Sequence, residues 1–326
     1  MSVLWGIPYL FIKLAVEELS PPVVVFSRTL IAAFLLVPLA LASRSFTALR
    51  GRFGVVFLLS LVHVVGPFLL ITYGEVYIAS GLTALLLATQ PLLIAALAWR
   101  FDATERVGGR RLFGLGLGLV GVAAVVGFDI GIDDRNGLLG AGMVLLAGVG
   151  YALATFLVKR RLSGVPPSGV AAGTMTVSSV LLMPFAVLTA PTSLPSLRAG
   201  VSVAVLGLFS TALALVLFYR LIAMAGAGAA ALVSYTSPAV AVLLGVAVLS
   251  EPLTLFTVLG FALIILGSWL SARRKPAPVA APSVTAPSLA SPSLASPLLA
   301  SPSVASPSAT APSVVVPSLA SASARS

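Results

Sequence analysis

The sequence predicts an all-α integral membrane protein whose ten transmembrane helices form two inverted five-helix repeats. Three observations predict it. Of 326 residues, 59% are hydrophobic and 9% charged, against roughly 45–50% and about 25% in soluble domains, so most of the chain needs lipid as its solvent. Ten apolar runs have about the length that a hydrocarbon core requires. Residue marks then recur at a fixed offset of 146 positions. Strands alternating apolar and polar side chains are missing, which argues against a barrel.

The ten runs cover residues 2–16, 22–42, 53–74, 78–99, 111–128, 137–158, 168–190, 200–222, 227–249 and 253–271. The first has 15 residues, about 22 Å of helix against a core of roughly 30 Å. Because it begins at Met1, the expectation is that the natural start lies further upstream. It does not read as a cleavable signal peptide, having neither a basic n-region nor an A-x-A site.

Orientation follows from Lys and Arg in the short links. Fifteen fall on one side, in clusters such as Arg44, Arg50 and Arg52, Lys159 to Arg161, and Arg273 to Lys275. Lys13, Arg135 and Arg198 fall on the other, and Arg28 lies inside a run. Both termini are therefore expected in the cytoplasm. Arg-rich, Lys-poor usage with abundant Ala and Gly suits a GC-rich bacterium, hence a cell membrane.

At the offset of 146, Trp5 meets Tyr151, Lys13 meets Lys159, Pro21 meets Pro167, Pro38 meets Pro184 and Tyr73 meets Tyr219. Glu105, Gly114 and Gly121 meet Glu251, Gly260 and Gly267, and Pro91 meets Pro238 with a slip of one residue. Five helices is an odd number, so the second copy enters the membrane in the opposite sense. Inverted repeats place a binding site near the midplane and permit alternating access. The expected units are 1–128, 129–275 and a tail, 276–326. From Pro282 to Pro317 a proline recurs every fifth residue, which forbids a helix. That tail is expected to be disordered and partly polyproline II, either a ligand or spacer or a repeat expansion without function.

Leu4-Trp5-Gly6, Phe26-Ser27-Arg28, Ala88-Thr89-Gln90-Pro91, E-R-V-x6-G-x6-G from Glu105 and E-P-L-T-x5-G-x6-G from Glu251 together resemble the ten-helix EamA-type branch of the drug/metabolite transporter superfamily. The resemblance covers about residues 3–272. It implies two five-helix halves, a central cavity, and export or exchange of small metabolites. The short first run and the polar approach to Glu105 depart from that pattern.

Ionisable side chains inside spans suggest function. Arg28 either anchors helix 2, by snorkelling or by pairing with Glu17 or Glu18, or recognises a carboxylate or phosphate with its planar fork. His63 is either a proton-coupling candidate or a structural histidine. Lys13 and Lys159 read as topology signals, and Glu75 as a solvated group at the mouth of helices 3 and 4. Glu105 and Glu251 read as favouring the N-termini of the fifth and tenth helices, and every Asp as a loop residue. With no carboxylate at a span centre, weakly coupled or uncoupled transport is expected.

Gln90, Tyr235 and Thr236 cluster at Pro91 and Pro238, where a kink frees the carbonyls of Leu87 and Ser234. They are candidate cavity residues, as are Trp5 and Tyr151; for these two, and for Trp99, the alternative is an interfacial aromatic belt. Gly114, Gly116, Gly118, Gly121, Gly140 and Gly142 read as close-packing faces.

With no Cys and one His, disulfides, thiolate or His-cluster metal sites and cysteine nucleophiles are excluded, and no cofactor is expected. The net charge of +10 lies in short clusters without a basic face, so nucleic acid is not an expected partner. No Walker A, HExxH or G-x-S-x-G pattern is present, which argues against an enzyme and against direct drive by ATP. The function expected is a secondary transporter exporting or exchanging small metabolites such as amino acids. The alternatives are proton-coupled multidrug efflux or a non-transport membrane subunit. The expected partners are a small-molecule substrate and the bilayer; the number of protomers has no signature in the sequence. A reporter domain fused just after Lys275 should be active only in the cytoplasm, and an external signal would overturn the topology.

Overall fold

A computed structural model of the chain describes residues 1–101, 109–131 and 134–272. Glu105 and the proline-repeat tail lie outside these. Every described element is helical: α1 (Ser2–Ala15), α2 (Pro21–Ala42), α3 (Phe53–Leu59), α4 (Gly66–Tyr77), α5 (Ser80–Leu87), α6 (Gln90–Phe101), α7 (Gly109–Ala124), α8 (Arg135–Arg161), α9 (Pro167–Leu188), α10 (Leu197–Gly207), α11 (Ala214–Leu249) and α12 (Leu255–Ala272). Seven helical stretches are long and apolar enough to cross a membrane, from Pro21–Ala42 to Leu197–Phe218. Three shorter apolar helices, Ser2–Ala15, Val233–Leu249 and Leu255–Ser271, accompany them. Large apolar side chains such as Phe34, Phe113, Phe185 and Leu188 face outward, as they do where the solvent is lipid. This is a multi-pass membrane protein.

Proline and wide helical turns shape the elements. α2 and α9 each have 22 residues, open on a proline and carry another inside, Pro38 and Pro184. They pack on each other in one cluster, Ala32, Ala33 and Ala40 with Ala171, Ala172 and Met175. α3 and α4 join through a π-helical segment, Ser60–Val65, and α10 and α11 through another, Leu208–Leu213. Such insertions re-aim side chains and often mark functional sites. A third, Val125–Gly131, extends α7, so Asp129 is helical rather than a loop residue.

Two expected boundaries differ. At Pro91 the helix breaks between Leu87 and Gln90. The Thr89 hydroxyl donates to the Leu86 carbonyl at 2.6 Å and Ser268 Oγ to that of Ala88 at 3.2 Å, so the carbonyls answered at the break flank Leu87. The boundary expected between residues 222 and 227 is absent, and Pro238 lies inside α11. α11 runs through it for 36 residues and merges the eighth and ninth runs, because no proline or capping residue interrupts the Ala- and Gly-rich stretch before it.

The links tie two ends of the bundle. At one end Ser196 donates its hydroxyl and N–H to Glu18, Arg198 pairs with Glu17 at 3.1 Å, and Ser20 Oγ donates to Thr189. The Ser196 hydroxyl first, then its N–H, hold the exposed Glu18 carboxyl below the usual carboxylate range. At the other end Ser45 meets Ser168 and Arg52 reaches the Arg161 carbonyl.

α7 and α12 meet backbone to backbone. A methyl on Gly267 would lie 2.5 Å from the Gly114 oxygen and Gly118 nitrogen, and one on Gly121 would lie 2.8 Å from the Gly260 oxygen. Gly114, Gly118, Gly121 and Gly140 are therefore close-packing positions as expected, whereas Gly116 and Gly142 face open space. Gly267→Ala should lower stability by about 1–3 kcal/mol, while Gly116→Ala should raise it by about 0.5–1 kcal/mol. Thermal unfolding of both purified variants in detergent checks the contrast.

Candidate functional site

The polar centre of the bundle forms around α2. Arg28 is half-buried there, and its Nε donates to Thr211 Oγ1 at 2.7 Å. Thr211 lies in the second π-helical segment and in turn donates to the Leu206 carbonyl five residues back. The wide turn thus supplies the side chain that orients the guanidinium. The plane rests over the Phe68 ring, with Cζ 4.1 Å from its centroid, a cation–π contact that fixes its tilt. The terminal nitrogens have no protein acceptor among the described residues. Glu17 and Glu18 are engaged by Arg198 and Ser196, so neither supplies the expected pairing.

His63 lies in the first π-helical segment, half-buried, with its ring edge-on to Tyr151 at 5.6 Å. Tyr9 and Tyr151 are both within electrostatic reach of Arg28. Arg28, His63 and Tyr151 therefore belong to one site, drawn from α2, the α3–α4 junction and α8. Tyr9, Phe68 and Thr211 complete it, and sequence reasoning missed them. Tyr9 sits four residues after Trp5, and that helical spacing was the available signal.

The remaining candidates lie apart. Tyr235 and Thr236 line a recess of about 500 Å³ with Ala239 of α11 and Val258, Phe261 and Ala262 of α12. Thr236 hydrogen-bonds Ser2, which brings the start of α1 to this recess. Trp5 packs on Phe218, ring centroids 4.5 Å apart. Gln90 opens α6, half-buried, at the break in the fourth span.

The charged residues placed at helix ends need correction. Lys13 Nζ donates to the Glu75 and Ile78 carbonyls at 2.6 and 3.0 Å, so it closes the C-terminus of α4 and is more than a topology signal. Glu251 accepts from the Ser80 and Gly81 N–H groups at 2.7 and 3.0 Å; it caps α5, not the tenth helix. Asp129 accepts from the Thr254 and Thr257 hydroxyls. Glu75 is 0% exposed, the opposite of a solvated mouth residue. Its span was expected to end at residue 74, but the helix continues to Tyr77.

Against known proteins, a model of the EamA-like transporter family matches residues 1–127 and 138–273. A protein of Archaeoglobus fulgidus named "Uncharacterized transporter" is 28% identical over 83% of this chain and 95% of its own length. The "Uncharacterized transporter YetK" of Bacillus subtilis is 29% identical over 83% and 84%. The "Uncharacterized inner membrane transporter YedA" of Escherichia coli is 27% identical over 87% and 93%. A crystal structure of a protein 18% identical superimposes with a TM-score of 0.59, covering 83% of this chain and 94% of the other, and so shares the fold.

Removing the Glu251 carboxylate strands two N–H groups at the start of α5, at about 1–3 kcal/mol each where they stay dry. Glu251→Ala should lower the unfolding temperature and speed hydrogen exchange at Ser80 and Gly81. Glu251→Gln, which keeps one acceptor oxygen, should do so less.

Proposed function

The chain belongs to the EamA-like transporter family, and from that premise we propose that it exports or exchanges small metabolites by alternating access, amino acids being the class its site suits best. The observation that carries the substrate class is Arg28. Its guanidinium is aimed by Thr211, backed by Phe68, and offers terminal nitrogens that no described protein group occupies. A planar fork held this way suits a carboxylate approaching in its plane. Tyr9 and Tyr151 stand beside it as neutral polar groups, and His63 borders Tyr151. The recess at Tyr235 and Thr236 supplies apolar room for a side chain in transit.

Alternating access draws support from the two halves. α9 follows α2 at the offset of 146 with equal length, and each half carries a π-helical segment in its third run. The family model matches one segment in each half. In this reading the two halves are inverted repeats in the cell membrane, both termini are cytoplasmic, and the halves rock about the Arg28 site.

Metabolites inside and outside cells lacking or overproducing the protein test the reading. Amino acids should rise outside with the wild type. Loss of a charged hydrogen-bonding partner, about 1.5–3 kcal/mol, corresponds to roughly tenfold to hundredfold, so Arg28→Ala should cut the effect by that much. The double variant Gln90→Ala, Tyr235→Ala should also reduce it. If no metabolite moves although the wild type reaches the membrane, the proposal fails.

A further inference from the structure

Glu75 is fully buried, and neither carboxyl oxygen has a hydrogen-bond partner among the described residues. The other acidic side chains with described bonds contrast with it. Glu17 and Glu18 are tied across the links, Asp129 to Thr254 and Thr257, Asp134 to the Asn136 N–H, and Glu251 to Ser80 and Gly81. Buried polar groups are almost always partnered, and an ionised carboxylate away from water and without a partner is the costliest state of all.

Several groups face Glu75 from the elements around it. Lys13 and Tyr9 approach from α1, Arg28 from α2, and Glu251 from the α11–α12 link. α8 meets the neighbouring turn through Gly140 and Val144 against Gly74. α5 brings Ser80, whose hydroxyl also lacks a partner. The nearby cation, Lys13, binds backbone carbonyls rather than the carboxylate.

Resting on the transporter reading above, we propose that Glu75 is the proton-binding residue of the transport cycle. A proton is the one ligand that neutralises this carboxyl without needing space. In the conformation seen here the acid form is held out of water beneath two ties, Lys13 to the α4 C-terminus and Glu251 to the α5 N-terminus. When those ties part, the carboxyl meets water, the proton leaves, and the carboxylate pairs with the Lys13 ammonium. The carboxyl therefore gives up and takes up a proton with each opening and closing of that end.

The full chain, reconstituted in phosphatidylethanolamine–phosphatidylglycerol vesicles, is tested with a radiolabelled mixture of the standard amino acids. With a difference of one pH unit across the membrane, the wild type should build a gradient of label of up to about tenfold per proton moved. Glu75→Gln, isosteric and neutral like the acid form, should still exchange label against unlabelled amino acids but lose the pH-driven accumulation. Glu18→Gln should behave as wild type. Exchange by the wild type with accumulation indifferent to pH, or a Glu75→Gln variant that still responds, overturns the proposal and leaves the transporter reading standing. If no label moves in either mode, the amino-acid reading fails and infrared difference spectra decide the proton site. A carboxylic-acid carbonyl band present in the wild type and lost in Glu75→Gln supports it, and absence of that band overturns it.

Discussion

A peptide group surrounded by hydrocarbon has only its own chain to bond to, so every break in a spanning helix must be answered by a side chain from elsewhere. That constraint organises this protein. The end of α4 leaves carbonyls that Lys13 takes up from α1, and the start of α5 leaves N–H groups that Glu251 takes up from beyond α11. The break at Pro91 exposes carbonyls that Thr89 and Ser268 answer. A polar residue that looks out of place in an apolar run is therefore usually the partner of a distant helix end. The pairings made by Lys13, Glu251 and Ser268 also set the register of the packing, since each ties together elements far apart in the chain.

The π-helical segments carry the same logic into the site. An inserted residue leaves a carbonyl out of step, and Thr211 satisfies that of Leu206 while accepting from Arg28. One side chain thus repairs the backbone and aims the guanidinium. On the other side of the site the Ser60–Val65 segment turns His63 toward Tyr151. Close packing elsewhere makes room for this polar centre, because α7 and α12 approach through glycines and leave the larger residues to fill other faces.

Most of the fold is legible in the sequence because hydrocarbon imposes so coarse a rule. The second to seventh runs coincide with helices of spanning length, and the offset that aligns Pro21 with Pro167 matches the bounds of α2 and α9. Arg28, His63 and Tyr151 could be singled out as polar or ionisable groups in apolar surroundings, and the structure brings them together. What the sequence hides is where each helix stops. A span counted as ending at residue 74 leaves Glu75 in water, whereas one more turn buries it; the apolar Val76 and Ile78 beside it carry that signal. Asp129 was misplaced for the same reason. Hydropathy also cannot show which distant helix end a charge serves, which is why Lys13 and Glu251 were assigned to local roles. Pro238 sits inside a continuous helix, as a mid-span proline can when its neighbours accommodate it; what hydropathy missed is that the eighth and ninth runs join before it.

Away from the exposed surface, the terminal nitrogens of Arg28 and the carboxyl of Glu75 have no protein partner among the described residues. The separation of Glu75 from water raises the cost of leaving its charge unbalanced. The two groups lie within each other's electrostatic reach, so the charge of one bears on the other. Arg28 sits at the centre of the bundle, held from both halves, while Glu75 lies beneath the ties that close one end. A change at that end is therefore felt at the centre through charge as well as through packing.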